Sequence, residues 1–426
     1  MSKIDKLLSS ESWQASVRVV EDFLKGDDKL DSLLKRHIQG LNTDIVRRIQ
    51  YLSYGVVRNL GRLQSALRSA VNKPPKKRLQ AMLLVGMFEW LDADESSRPQ
   101  VVHHAVEQAK RKLSRAEGRF VNAVMRRIPK LGLGLGIEDE APGKWSDHYS
   151  HPKWMIERWL EQLGEENTRR LLKWNQQVPK IYAWSPVSKT VVPSDWVETK
   201  WSEFYEIQGA DWESVRAMLA DGKTYIQDPS TRLGAALLEG MEIRSVLDLC
   251  AAPGGKSIQL QRYIGAEDGL LVSVDLMGVR FDRLKENLSR YSKPGARQLQ
   301  VAADVLTLTA DELPQAEYDA VYVDVPCSNT GVLQRRPDVK WRQSEAGVVE
   351  LVKLQLALLR SASRFVKPDG CLLYSTCSVE ATENEQVIDT FLQIEDNGFS
   401  LESSVRSLPW ETGHDGAGAF LLRRAK

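Results

Sequence analysis

The sequence predicts a multidomain chain: an all-α N-terminal domain, a small α+β module, and an α/β domain built on a doubly wound, mainly parallel sheet. Three observations carry that prediction. Through the first 130 residues apolar side chains recur at helical spacing, without strand alternation. Two short strand-like runs, Lys180–Trp184 and Phe204–Ile207, lie beside a helical stretch at Asp211–Leu219. After Pro229, apolar strand-length runs alternate with helical ones. The domain boundaries read as 1–135, 145–225 and 226–426.

In the first domain, Val46, Ile49, Leu52, Val56, Val57 and Leu60 fall on one helical face. Pro74-Pro75 and Ser96-Ser97-Arg98-Pro99 punctuate between helices, which resume at Leu79–Leu91 and Val101–Arg127. Leu131–Gly136 alternates leucine and glycine. A dinucleotide fingerprint would need glycine at 137, where Ile137 stands, so this stretch reads as a linker, with the acidic Glu138-Asp139-Glu140 and Pro142-Gly143 behind it. A helix pair is expected from His151 to about Leu172.

In the last domain, strands are expected at Ser245–Leu249, Leu270–Val274, Gln298–Val301, Ala320–Val323 and Cys371–Ser375. Helices are expected at Val279–Tyr291 and Ala346–Phe365. A ligand of such a sheet sits beyond the carboxyl ends of its strands.

Composition bounds the function. The chain has 426 residues, 42% hydrophobic and 27% charged, with no apolar run of the roughly 18 residues that span a bilayer. Met1–Lys6 carries no apolar signal region, so a cytoplasmic protein is expected. Four cysteines without a Cys-x-x-Cys pair, beside six histidines, point to reduced thiols and to no metal site. Net charge is +1 but uneven: residues 1–150 hold 26 basic against 18 acidic side chains, and residues 151–426 hold 32 against 39. A basic first domain suits a nucleic-acid partner, although a solvated helical surface has the same balance.

Leu247–Lys256 reads as a strand entering a glycine turn that opens a helix. Gly254 and Gly255 let backbone approach a ligand. A Walker loop would need glycine at position 250, which is Cys250. Asp275 ends the next strand, where a carboxylate can accept from ribose hydroxyls, and Asp304 ends the third, where it can read an adenine edge. Alone, either aspartate serves as readily as a loop or cap residue. Together they point to S-adenosylmethionine. A nicotinamide cofactor stays open on fold grounds, but its glycine fingerprint is missing.

Cys327, in Asp324-Val325-Pro326-Cys327-Ser328, and Cys377, in Tyr374-Ser375-Thr376-Cys377-Ser378, each sit at a predicted strand end. Carbon 5 of cytosine is a poor nucleophile. A thiolate adding to carbon 6 activates it toward a sulfonium methyl, which splits one hard step into easier ones. Asp324 could hydrogen-bond the base edge. Cys250 and Cys371 lie in apolar strand-like runs and read as small buried hydrophobes.

At these residues the chain resembles the RNA 5-methylcytosine methyltransferases of the Nop2/Sun group. The matching pieces are Asp248–Lys256, Asp275, Asp304, Asp324–Thr330, Arg335–Trp341, Ser375–Ser378 and Glu383-Asn384-Glu385, within roughly residues 225–392. The resemblance implies a Rossmann-like methyltransferase domain, Cys377 as nucleophile, and Cys327 as the thiol that aids release, with Asp324 and Lys256 completing the catalytic set. It implies S-adenosylmethionine held by Cys250, Ala251, Pro253, Gly254, Gly255, Lys256, Asp275, Arg280, Asp304 and Asp324. DNA cytosine methyltransferases use the cysteine of a Pro-Cys pair, here Cys327, so Cys377 after Ser375-Thr376 favours RNA.

Tyr54–Arg58, Val102–Ala109 and above all Gly118–Arg127 are similar to the NusB-like RNA-binding domain carried by the bacterial B-type branch of the family. The implied substrate is a cytosine in small-subunit ribosomal RNA, and the implied protein a monomer without membrane or metal partner. Arg119, Arg126, Arg127, Arg335, Arg336 and Lys340 are the expected RNA contacts, with Trp341 or Trp184 available to stack on a base. The target must be unpaired or flipped out to reach Cys377. The chain departs from the family in three places. Asn329 stands where glycine is usual, Tyr182-Ala183-Trp184-Ser185 replaces a Leu-Arg-Val-Asn-like segment, and Gly416–Phe420 replaces Asp-Gly-Phe-Phe. Asparagine tolerates a left-handed backbone better than most residues. A non-catalytic RNA-binding assembly factor of the same fold is the alternative.

Overall fold

The structure, a computed structural model, describes residues 10–131, 142–186, 191–209, 212–265, 269–291, 295–394 and 398–426. The linker expected at 132–136 and Asp211 lie outside the described residues. The chain divides into two units, Met1–Gln177 with Leu333–Arg342, and Val178–Val332 with Gln343–Lys426.

The first unit is helical: α1 (Ser10–Phe23), α2 (Leu30–Ile38), α3 (Thr43–Arg58), α4 (Leu60–Ala70), α5 (Lys77–Asp92), α6 (Arg98–Lys112), α7 (Arg115–Met125), α8 (Trp145–His148) and α9 (Lys153–Gln176). The expected helix over Val101–Arg127 is two helices. Ser114 ends the run because its Oγ accepts from the Glu117 amide at 3.1 Å and so caps a new helix. α5 is apolar nearly all round, since it runs through the core formed by Trp13, Leu52, Val56, Leu83, Leu84 and Val124. α9 breaks at Gly164, whose φ is +74°. The break makes it the helix pair expected from His151 to about Leu172, although α8 and α9 belong to the helical unit. Ser150 Oγ accepts from the Arg62 amide at 2.9 Å, and Ser65 Oγ donates to Asp147 at 2.8 Å.

The second unit holds both sheets. A four-stranded antiparallel sheet has the order β2 (Trp196–Glu198), β3 (Phe204–Ile207), β1 (Tyr182–Trp184), β4 (Tyr225–Ile226), with α10 (Trp212–Ala220) in the chain between β3 and β4. A seven-stranded sheet has the order β10 (Phe399–Ser407), β11 (Ala417–Arg424), β9 (Val366–Thr376), β8 (Tyr318–Asp324), β5 (Ser245–Leu249), β6 (Gly269–Asp275), β7 (Ala296–Ala302). From β9 to β7 the strands are parallel, and β11 and β10 are antiparallel. This is a mixed-sheet Rossmann-like fold.

Both faces of the large sheet are covered, as a parallel sheet requires. Leu247, Leu249, Val321, Val323, Leu372 and Tyr374 pack on one face, with Leu358 and Leu359 of the helix Glu345–Ser363. Their alternates Val246, Ala320, Tyr322, Cys371 and Leu373 pack on the other, with Ala235, Leu238 and Leu260. The small sheet joins this unit through Tyr182, Trp184 and Phe204, which pack with Ala251, Ala252, Ile258, Phe281 and Leu284. Trp184 is therefore a core residue and not a stacking platform for RNA.

Candidate active site at the carboxyl ends of the parallel strands

The glycine turn leaves β5 with Cys250 at φ +59° and Gly254 at φ +101°. A Cβ on Gly254 would stand 2.9 Å from Leu284 Cδ1, which would have to shift, and the backbone conformation itself calls for glycine. Three side chains pin the turn. Asp275 Oδ2 accepts from the Ala252 amide at 2.8 Å, Arg280 donates to the Ala252 carbonyl, and Asn287 Nδ2 donates to the Pro253 carbonyl at 2.8 Å. Arg280 and Asn287 both come from α11 (Val279–Arg290).

Asp275 Oδ1 also accepts from the Leu276 amide at 2.8 Å. Leu276 and Met277 follow it, 61% and 72% exposed, and Leu306 lies exposed in the loop after β7. A carboxylate that can accept from ribose hydroxyls, a tight glycine turn, and uncovered apolar side chains for the face of a planar base fit S-adenosylmethionine. Asp304 lies two residues beyond β7 and is exposed. Its Oδ1 accepts from the Leu306 amide at 3.0 Å. Burial, reinforced by Asp275, pushes the Cys250 thiol up to about 12, and burial does the same to Cys371.

Lys256 reaches from the turn to the end of β8. Its Nζ pairs with Asp324 Oδ1 and donates to Ser375 Oγ at 3.0 Å. Ser375 Oγ donates to Asp324 Oδ1 at 2.8 Å and lies 2.8 Å from Tyr322 Oη. Burial works to discharge Lys256, but the Asp324 carboxylate outweighs it and holds the ammonium well above the ordinary lysine value. Tyr322 carried no motif signal, and Ser375 entered only as part of the segment that leads to Cys377. The parallel pairing of β8 with β9, Asp324 opposite Ser375, brings them in.

That register also brings the thiols together. Cys327 and Cys377 follow the ends of β8 and β9, and their Sγ atoms lie 3.3 Å apart. Cys377 is half-buried and Cys327 buried. Its hydrogen-bond partner Cys377, together with burial, holds the Cys327 thiol well above the ordinary cysteine value. Gly331 N donates to the Cys377 carbonyl at 3.0 Å and Gly416 N to the Gly331 carbonyl at 2.9 Å. A Cβ on Gly331 would stand 2.4 Å from the Gly416 oxygen. The departure at Gly416 thus closes against the Cys327 loop.

Beneath the thiols lies Glu383, fully buried. Its Oε1 accepts from the Ser328 amide at 2.8 Å and from Gln355 Nε2 at 2.9 Å. Its Oε2 accepts from Ser328 Oγ and from Ser378 Oγ. Asn384 Nδ2 donates to the Ser378 and Glu380 carbonyls. The sequence marks Glu383-Asn384 as a motif, but the partners of Glu383 are up to 55 residues away.

The expected RNA contacts divide. Arg119 and Arg126 are exposed and line a groove of about 770 Å³ in the helical unit, with Arg98, His103 and Lys110 around it and Val102, Val106 and Met125 in its floor. Arg127 Nη1 donates to the Ala70 carbonyl at 2.8 Å. Arg335 is half-buried and Arg336 exposed. Lys340 does not face a phosphate: it is 1% exposed and its Nζ donates to the Arg58 carbonyl at 2.9 Å. Burial, with the Arg58 guanidinium nearby, holds its amine well below the ordinary lysine value. Trp341 Nε1 donates to the Val57 carbonyl at 2.8 Å. Residues 333–342 are thus structural parts of the helical unit, which the charge pattern alone did not reveal.

Among the described residues no group of three or more metal-ligating side chains is assembled, and no helix is long and apolar enough to cross a membrane.

Residues 235–413 match the family model for 16S rRNA methyltransferase RsmB/F, and residues 26–130 match the NusB family. A ribosomal RNA small subunit methyltransferase B of Pasteurella multocida (strain Pm70) is 29% identical over 447 residues, covering 98% of this chain and 96% of the relative. The crystal structure of PH0851 superposes with a TM-score of 0.76 at 22% identity, over 98% of this chain and 99% of that one. NSun6 from Pyrococcus horikoshii, solved with SFG, superposes with a TM-score of 0.54 at 17% identity, over 65% of this chain and 98% of that one. The two structures share the fold.

Proposed function

Because the chain belongs to the RsmB/F family of 16S rRNA methyltransferases, with a NusB-family domain ahead of its methyltransferase domain, we propose that it methylates carbon 5 of a cytosine in small-subunit ribosomal RNA through a covalent Cys377 adduct. It is an S-adenosylmethionine-dependent rRNA methyltransferase. The cytosine, its carbon 5 and the thiol chemistry are the proposal. The observation that supports it most is the pair of thiols 3.3 Å apart, at the ends of adjacent parallel strands and following Asp324 and Ser375.

S-adenosylmethionine supplies an electrophilic methyl group. Asp275 and the Ala251–Gly255 turn hold the donor, and Asp304 stands at the next strand end. Cys377, as thiolate, adds to carbon 6 of the base and makes carbon 5 nucleophilic. Asp324, fixed by Lys256 and Ser375, hydrogen-bonds the base edge and stabilises the charged ring. Once carbon 5 carries the methyl, its proton leaves to a base, the carbon 6–sulfur bond breaks, and the electron pair returns to Cys377. Cys327 remains a protonated thiol, so its S–H can donate to the departing Cys377 sulfur. That gives release a physical basis in the pair itself. Arg119, Arg126, Arg127, Arg335 and Arg336 are proposed RNA contacts, and the buried Lys340 is not among them.

Two variants test the roles. Cys377→Ala is expected to give neither methyl transfer nor an RNA adduct. Cys327→Ala is expected to attack and methylate but to accumulate a denaturation-resistant protein–RNA adduct. The opposite pattern would make Cys327 the nucleophile.

A further inference from the structure

We propose that Asn329 is a positioning residue that keeps Cys377 protonated until substrate arrives; this rests on Cys377 being the nucleophile. Asn329 has φ +60°, in the left-handed region, and its side chain turns back onto its own loop. Nδ2 donates to the Cys327 carbonyl at 2.6 Å, which fixes the amide so that Oδ1 faces Cys377 Sγ at 3.3 Å. A carboxamide oxygen only accepts, so Cys377 must bring the proton. The order across the site is then Cys327 S–H to Cys377 sulfur, and Cys377 S–H to Asn329 oxygen.

An acceptor aimed at a thiol favours the neutral form over the thiolate. Charged groups that interact with the pair include Lys256, beside Cys377, and Glu383, beside Cys327. Asn329 acts without adding a charge. Glycine, usual at this position in the resembling family, supplies the same backbone freedom but no oxygen. Arming the nucleophile here therefore requires that an incoming base displace the Asn329 oxygen. The free protein is thereby guarded against off-target thiol chemistry.

The test is alkylation of the full chain by iodoacetamide in the absence of RNA. Mass spectrometry follows the Cys377 peptide separately from those of Cys250, Cys327 and Cys371. Asn329→Gly and Asn329→Asp both accept positive φ, and circular dichroism checks their folding. At neutral pH Asn329→Gly is expected to alkylate about 3- to 10-fold faster than wild type, the range one hydrogen bond supplies, and Asn329→Asp more slowly than wild type. The advantage of the glycine variant should vanish at alkaline pH, where the thiol is ionised in both proteins. A glycine variant that reacts at the wild-type rate overturns the proposal. So does an excess that persists at alkaline pH, which would report access rather than protonation. Methyl transfer by Cys377→Ala would instead sink the nucleophile assignment and leave the alkylation result standing.

Discussion

Ser328 Oγ and Ser378 Oγ lie 3.2 Å apart and donate to the same oxygen, Glu383 Oε2, although 50 residues of sequence separate them. Each serine follows one of the two cysteines. The buried carboxylate is therefore the point through which the Cys327 and Cys377 loops are held in register. Glu383→Gln keeps the shape but replaces an acceptor oxygen with a donor amide, so either the two serine hydroxyls or the Ser328 amide and Gln355 lose their acceptor. The expected cost is about 1–3 kcal/mol of stability. Methyl transfer should fall by more than about tenfold, while S-adenosylmethionine affinity stays near wild type, because rate depends on thiol placement and binding does not. Denaturant melts, single-turnover assays and calorimetric titration read the three quantities. A variant with normal turnover would show that Glu383 is only scaffold.

The glycine turn gives a complementary outcome. Gly254→Ala must hold φ +101° with a Cβ 2.9 Å from Leu284. Strain of about 1–3 kcal/mol predicts roughly a 5- to 150-fold loss of S-adenosylmethionine affinity. RNA binding, measured by filter retention, should be unchanged. Wild-type cofactor affinity would place the cofactor elsewhere.

Asp248 predicts a pH dependence. It lies buried on β5, with Oδ2 accepting from Ser257 Oγ and Oδ1 without a hydrogen-bond partner among the described residues. Burial, opposed by Ser257, pushes its carboxyl up to about 7. A carboxyl raised in the folded state favours folding fully below its unfolded value, about 4, and loses that contribution as pH rises toward 7. Asp248→Asn cannot ionise and escapes the loss. The melting temperature of the variant relative to wild type should therefore rise between pH 5 and pH 8. An unchanged difference across that range would contradict a raised Asp248.

Much of the second unit was legible because its central strands are continuous apolar runs. Ser245–Leu249 matched its expectation residue for residue, and the 270–274, 298–301 and 320–323 runs lie inside β6, β7 and β8. β10 and β11 were missed. β10 is an edge strand with exposed residues such as Leu401, and the glycine-rich start of β11 carries no alternating pattern before Gly418 pairs opposite Thr376 of β9. Cys327 and Cys377 were legible from their settings, but their separation depends on strand register. Lys340 and Trp184 were misread because residue type suggests a role while burial decides it. Asn329 was visible only as a departure. Its amide contacts to the two cysteines exist only after folding.

The central claim is tested most directly by identifying the nucleoside made. The purified chain is incubated with unmodified small-subunit rRNA and methyl-labelled S-adenosylmethionine, and the RNA is digested to nucleosides and separated. Label in 5-methylcytidine, absent with Cys377→Ala, is the predicted result. Label in any other nucleoside, or none while cofactor and RNA both bind, would contradict it.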